Sequence, residues 1–137
     1  MADKIKKVVY YKIETAHRRG EGAQILSQLK EAGVNLHGFT GFPRKRKAQM
    51  DFIPEDNAAF RRAAKKMGIT VKEKKTCFLI QGKDRAGAIA GILSKLAEGK
   101  INVTAVDAVA AGSGQFGAIL WVKKKDVAKA AKILGAK

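Results

Sequence analysis

The sequence predicts an α+β protein made of two copies of one strand–helix–strand–strand–helix unit. Three observations carry this prediction. The chain superimposes on itself, without a gap, at an offset of 67 positions. Ile25-Leu26-Ser27-Gln28-Leu29 falls on Ile92-Leu93-Ser94-Lys95-Leu96, Val34-Asn35-Leu36 on Ile101-Asn102-Val103, and Ala63 to Gly68 on Ala130 to Gly135. A single offset held through a whole unit marks a duplication. Within each copy, β-branched and aromatic runs alternate with apolar stripes at helical spacing. A hydrophobic fraction of 46% is that of a chain able to bury a core.

Val8-Val9-Tyr10-Tyr11-Lys12-Ile13 and its counterpart Thr76-Cys77-Phe78-Leu79-Ile80 have strand composition. Ala23, Leu26, Leu29 and Ala32, with Ile25 beside them, form a helical stripe, repeated by Ile92, Leu93 and Leu96. Gly33 and Gly99 stand where these helices stop. Residues 34–42 and 101–109 read as second strands, and 48–53 and 115–122 as third strands. Phe60, Ala63, Ala64 and Met67 mark a second helix, matched by Val127, Ala130, Ala131 and Leu134. Asp56 or Asn57 caps the first of these helices and Asp126 the second.

Ile69-Thr70-Val71-Lys72-Glu73 then reads as a fourth strand of copy one, which completes a ferredoxin-like βαββαβ unit with an antiparallel sheet and helices on one face. Copy two stops at Lys137, the counterpart of Thr70, and lacks its own last strand. The units divide at residues 1–75 and 76–137, joined without a flexible linker. At the repeat offset, Asp3-Lys4-Ile5-Lys6-Lys7 matches residues 70–74. This segment either fills the vacant edge of copy two or frays. The first and third strands of copy two, with Cys77, Leu79 and Phe116 to Val122, are apolar on both faces, whereas Gln49 and Asp51 interrupt copy one. Copy two's sheet is therefore expected to meet another surface, such as a second subunit.

The formal net charge is +16, and each half contributes +8. No basic tail is attached to a neutral body. Such a field attracts polyanions, and the expected binding to nucleic acid is weak, non-specific and salt-dependent. The basic runs are Pro43-Arg44-Lys45-Arg46-Lys47, Lys72 to Lys75 and Lys123-Lys124-Lys125, of which the first, with Phe42, suits a phosphate backbone. Cys77 is the only cysteine, which excludes an internal disulfide. No apolar run reaches the ~18 residues of a membrane span, and the start has no signal-like apolar region. The expected location is the cytoplasm, with no membrane association.

The turns between first strand and first helix are the candidate sites. They read Ala16-His17-Arg18-Arg19-Gly20-Glu21-Gly22 and Gly82-Lys83-Asp84-Arg85-Ala86-Gly87-Ala88. A glycine turn opening a helix leaves amide groups free for a carboxylate or phosphate, and Arg18 or Arg85 adds a charge-assisted partner. The alternative is that Gly20 and Gly87 only let the turn form. Gly112-Ser113-Gly114-Gln115-Phe116-Gly117 fits G-x-G-x-x-G literally, but a strand follows where a dinucleotide fingerprint needs a helix, so it reads as a hairpin. His17 and His37 lack clustered carboxylate or cysteine partners, so neither a metal site, a cofactor nor an enzyme is indicated.

Asp84-Arg85-Ala86-Gly87, the helix from Ile89 to Ala97, and Ile101-Asn102-Val103 together resemble the ACT domain, a family of amino-acid-binding regulators. The family has proline where Ala86 stands. Copy one departs further, with His17 and Arg19 at the aspartate and proline positions, but keeps Gly20 and Asn35. The resemblance implies a non-catalytic tandem regulator that binds a small amino-acid effector where ACT units meet and signals to a separate, unidentified protein partner, as a homodimer. It nominates Arg18, Gly20, Gly22, Asn35, Asp84, Arg85, Gly87 and Asn102 as ligand-binding residues. The alternatives are a basic nucleic-acid-binding module on the same fold, or a scaffold whose ligand sites have decayed.

Overall fold

The β-branched run near the start forms a long strand, β1 (Lys4–Ala16), followed by helix α1 (Glu21–Glu31). A computed structural model describes residues 3–71 and 73–137. A hairpin follows, of β2 (Leu36–Arg44) and β3 (Lys47–Pro54), and then helix α2 (Asn57–Lys66). The second copy repeats the series with β4 (Glu73–Lys83), α3 (Ala88–Glu98), β5 (Val103–Gly112), β6 (Gln115–Val122) and α4 (Val127–Leu134). Among the described residues, no helix is long and apolar enough to cross a membrane.

Residue contacts divide the chain into two units that do not coincide with its two halves. The first unit is Val9–Lys75; the second is the N-terminal segment through Val8 together with Thr76–Lys137. A division at residue 75 alone thus misplaces the segment before Val9. In the first unit the strands run β2-β3-β1, with β4 beside β1; in the second they run β5-β6-β4, with β1 beside β4. Each has the ferredoxin-like α+β order, and each takes its fourth strand from the chain entering or leaving the other copy.

Antiparallel registers fix which side chains share a face. In the first unit Tyr11 pairs with Phe52 and Ile13 with Met50. These residues pack with Ile25, Leu29, Phe60, Ala63 and Ala64 from the helices. Tyr11 and Phe60 stack at 4.8 Å, and Arg61 donates to the Tyr11 hydroxyl at 2.8 Å, which satisfies the polar end of a buried ring. In the second unit Phe78, Ile80, Phe116 and Leu120 pack with Ile92, Leu96, Ala130 and Leu134. Each fully buried large side chain of this kind contributes about 1.5–3 kcal/mol.

Asp3-Lys4-Ile5-Lys6-Lys7 lies in the second unit. Ile5 packs against its core, the Lys7 amide donates to the Lys137 carbonyl at 2.9 Å, and the Lys137 amide donates to the Ile5 carbonyl at 3.1 Å. The vacant edge is filled by the chain's own start.

Two expectations need correction. Residues 69–71 are not a strand, and Lys72 lies outside the described residues. Gly68 has φ 71°, and the Ile69 amide turns back to the Ala64 carbonyl at 3.0 Å, so Ile69 and Val71 are apolar because they pack on the core. At the helix caps, Asp56 accepts from the Ala59 amide at 3.1 Å, but Asp126 makes no such bond because a 3-10 turn, Lys124–Asp126, precedes α4. As expected, α3 ends at Gly99, with φ −80°, and Lys100 takes the left-handed position at φ 62°. A Cβ on Gly99 would run into Ile133, so glycine stands where α4 approaches and not where φ is positive.

Candidate functional site

Both strand–helix turns place glycine at the helix N-cap in the left-handed region, Gly20 at φ 83° and Gly87 at φ 80°. The arginines that precede them are already engaged. Arg18 pairs with Glu21 in the first turn of α1 at 3.5 Å, and Thr15 donates to the same carboxylate at 3.3 Å. A carboxylate at that position also complements the helix dipole. Arg85 grips Asp3 with both terminal nitrogens, at 3.1 and 3.2 Å, donates to the Lys83 carbonyl at 2.7 Å, and lies 5.9 Å from the centre of the Phe116 ring. Hydrogen bonding to Asp3 raises the Arg85 pKa further. Each turn therefore carries a carboxylate supplied by the chain itself.

The remaining predicted residues fall in different places. Gly22 has the Met50 sulfur 3.8 Å from where its Cβ would be. The Asp84 amide donates to the Gly114 carbonyl at 2.9 Å, anchoring the turn to the β5–β6 hairpin that Gly112-Ser113-Gly114 forms. Asn102 is exposed just before β5. Asn35 lines a cavity.

That cavity is a shallow depression of about 440 Å³ in the first unit, lined by Leu26, Leu29, Lys30, Gly33, Val34, Asn35 and Leu36. The apolar members come from the stripe of α1 and the entry to β2, with Lys30 near the helix C-terminus, where a cation suits the dipole. The Asn35 amide donates to Glu55 at 3.3 Å, the Glu55 amide donates to the Asn35 carbonyl at 2.9 Å, and His37 Nε2 lies 3.5 Å from the same carboxylate. Lys30 and Asn35 thus line an apolar floor, and Glu55 is bonded to the Asn35 side chain. Lys30, His37 and Glu55 were not nominated from the sequence. Their signal was the repeat itself, because copy two has Ala97, Thr104 and Val122 at these positions.

A second polar cluster lies on the sheet face turned from the helices. Thr40 donates to Asp51 at 3.3 Å, Gln49 donates to Asp51 at 3.3 Å, and Arg44 donates to Oε1 of the Gln49 side chain at 3.3 Å. Burial pushes the Asp51 carboxyl up, against the opposing hydrogen bonds and the charges of Lys12 and Lys75. Among the described residues, no three His, Cys, Asp or Glu side chains are grouped to hold a metal ion.

No family model matches the sequence, and no curated protein matches it at a significant level. Solved structures do match. Protein BT0572 from Bacteroides thetaiotaomicron shares 15% identity over 96% of this chain and 88% of its own, at TM-score 0.82. The ligand-free regulatory subunit of aspartate kinase from Thermus thermophilus shares 13% over 98% and 95%, at TM-score 0.64. The chain has the fold of a tandem ACT protein. Clostridium acetobutylicum aspartate kinase, of which the match covers 33%, carries the same ACT-like fold as part of a longer enzyme, with 19% identity over 96% of this chain and TM-score 0.58.

Proposed function

We propose that this chain is a non-catalytic regulatory protein that binds a small amino-acid-like effector and signals to a separate partner. The observation that carries the reading is the α1–β2 depression, with its apolar floor between Lys30 and the Asn35–Glu55 pair. A free amino acid presents a carboxylate, an ammonium and a side chain. Lys30 suits the first, Glu55 the second, and Leu26, Leu29 and Leu36 the third. The fold shared with a regulatory subunit of aspartate kinase supports the same role.

The depression is shallow, so the site is completed where ACT units meet in a homodimer. Gly20, Gly22 and Asn35 contribute on the first unit, and Asp84, Gly87 and Asn102 on the second. Arg18 and Arg85 reach an effector only when Glu21 or Asp3 yields. The first unit is therefore the better provided of the two. Titrating single amino acids into 15N-labelled protein tests this. One of them should move the amide signals of residues 26–36, and Lys30→Ala and Asn35→Ala should each weaken binding about tenfold, roughly the 1.4 kcal/mol of a lost charged hydrogen bond. Shifts confined to residues far from this depression would contradict the placement.

A further inference from the structure

One end of the first unit concentrates cations that the equivalent end of the second unit lacks. The hairpin closes on the Arg44–Lys47 pair, and Lys47 is also the register partner of Ala16, the last residue of β1. The turn that follows β1 therefore adjoins the hairpin tip. Arg18, Arg19, Arg44, Lys45, Arg46 and Lys47 are all exposed there. Three neighbouring strand ends span roughly 10 Å at the usual strand spacing. The acids of this region are Glu21, paired with Arg18, Glu14, which faces Gln49 further along β1, and the buried Asp51, bonded to Gln49. Arg44 has a neutral partner, the Gln49 amide.

The repeat supplies the control. In the second unit the same places hold Lys83, Asp84 and Arg85, with Arg85 clamped on Asp3, and the hairpin turn is Gly112-Ser113-Gly114. The fold is built equally well without the cations, so they answer a need other than folding. Aromatic surface accompanies them. Phe39 and Phe42, 39% and 44% exposed, lie on β2 as it runs toward the basic tip. Phe42 shares its face with Arg44, two residues on.

We propose that this basic hairpin end is a contact site for single-stranded nucleic acid, with the cations on successive phosphates and Phe42 as a stacking platform for a base. An anionic membrane is the other surface that attracts cations beside aromatics. The geometry favours the strand. Phe39 and Phe42 point to opposite sheet faces and cannot enter one membrane plane together, and Phe39 leans on Phe52 at 5.2 Å.

The test is fluorescence anisotropy of the full chain with labelled fifteen-residue oligo-dT and oligo-U between about 50 and 200 mM salt. Two variants remove equal charge: Arg44, Lys45, Arg46 and Lys47 to Gln, and Lys123, Lys124, Lys125 and Lys129 to Gln. The hairpin variant should bind at least about tenfold more weakly, with a salt slope lower by roughly 3 at ~0.7 per phosphate contact. The other variant should lose less than about threefold. Phe42→Ala should cost about fivefold or more, the loss of one stacked base. All of these side chains are exposed, and melting curves verify folding. Equal losses in the two charge variants would overturn the proposal, because binding would then follow net charge alone. So would failure of the native chain to bind either oligomer at 50 mM salt, or tighter binding to phosphatidylserine vesicles than to the oligomers. None of these results bears on the amino-acid site, which uses none of these four hairpin residues.

Discussion

Asp51 is 6% exposed on β3, held by Thr40 and Gln49, and burial raises its pKa. A carboxyl whose pKa is higher folded than unfolded binds its proton more tightly in the native state. It therefore lowers stability as pH rises above the ordinary carboxylate value of 3.8, and the cost is complete once pH passes the raised native value. Asp51→Asn should stabilise the protein at neutral pH, and the difference should vanish at pH 3 and below. Denaturant midpoints measured across that range check the sign. Lys100 occupies the left-handed region at φ 62°, which costs a lysine free energy that a glycine does not lose. Lys100→Gly should stabilise by about 1 kcal/mol, read from the same unfolding curves. Single residues were the part least legible in the sequence. Arg18 and Arg85 looked free for a ligand because Glu21 and Asp3 carry no motif. Asp3 lies 82 residues from its partner, and no periodicity reports such a pair.

At the level of elements the duplication made most of the fold legible, because each strand and helix was read twice. It also raised the exchanged edge as one of two readings, since residues 3–7 fall at the repeat offset from residues 70–74. What misled was the short apolar run Ile69-Thr70-Val71, whose side chains cover the core from a helix end. Deleting residues 2–7 should markedly destabilise the second unit. Ile5 packing alone contributes about 1 kcal/mol, the Lys7 and Lys137 backbone bonds go with it, and the bared β4 edge invites aggregation. Gly82→Ala offers a gentler version, because its Cβ would collide with Asp3 and Phe116. Both variants should lower the melting temperature and the soluble yield, the deletion more than the substitution. A truncated chain as stable and soluble as the parent would show that the edge segment contributes nothing.

The whole molecule combines an ACT-like fold with a charge of +16 and two repeats that have diverged in their chemistry. The first unit has the α1–β2 depression and a basic hairpin end. In the second, Arg85 is committed to the chain's own start. The depression itself was not legible in the sequence, because it depends on α1 meeting the entry to β2. The central claim is that a free amino acid binds this protein. A thermal-shift screen of the native chain against the twenty amino acids tests it most directly. A ligand at 100 times its Kd stabilises by about 2.7 kcal/mol, which for a chain of this length raises the melting temperature by about 10 °C. The account predicts that one amino acid, or a few of similar side chain, produces such a rise and that Asn35→Ala reduces it. No shift with any of them at millimolar concentration would contradict it.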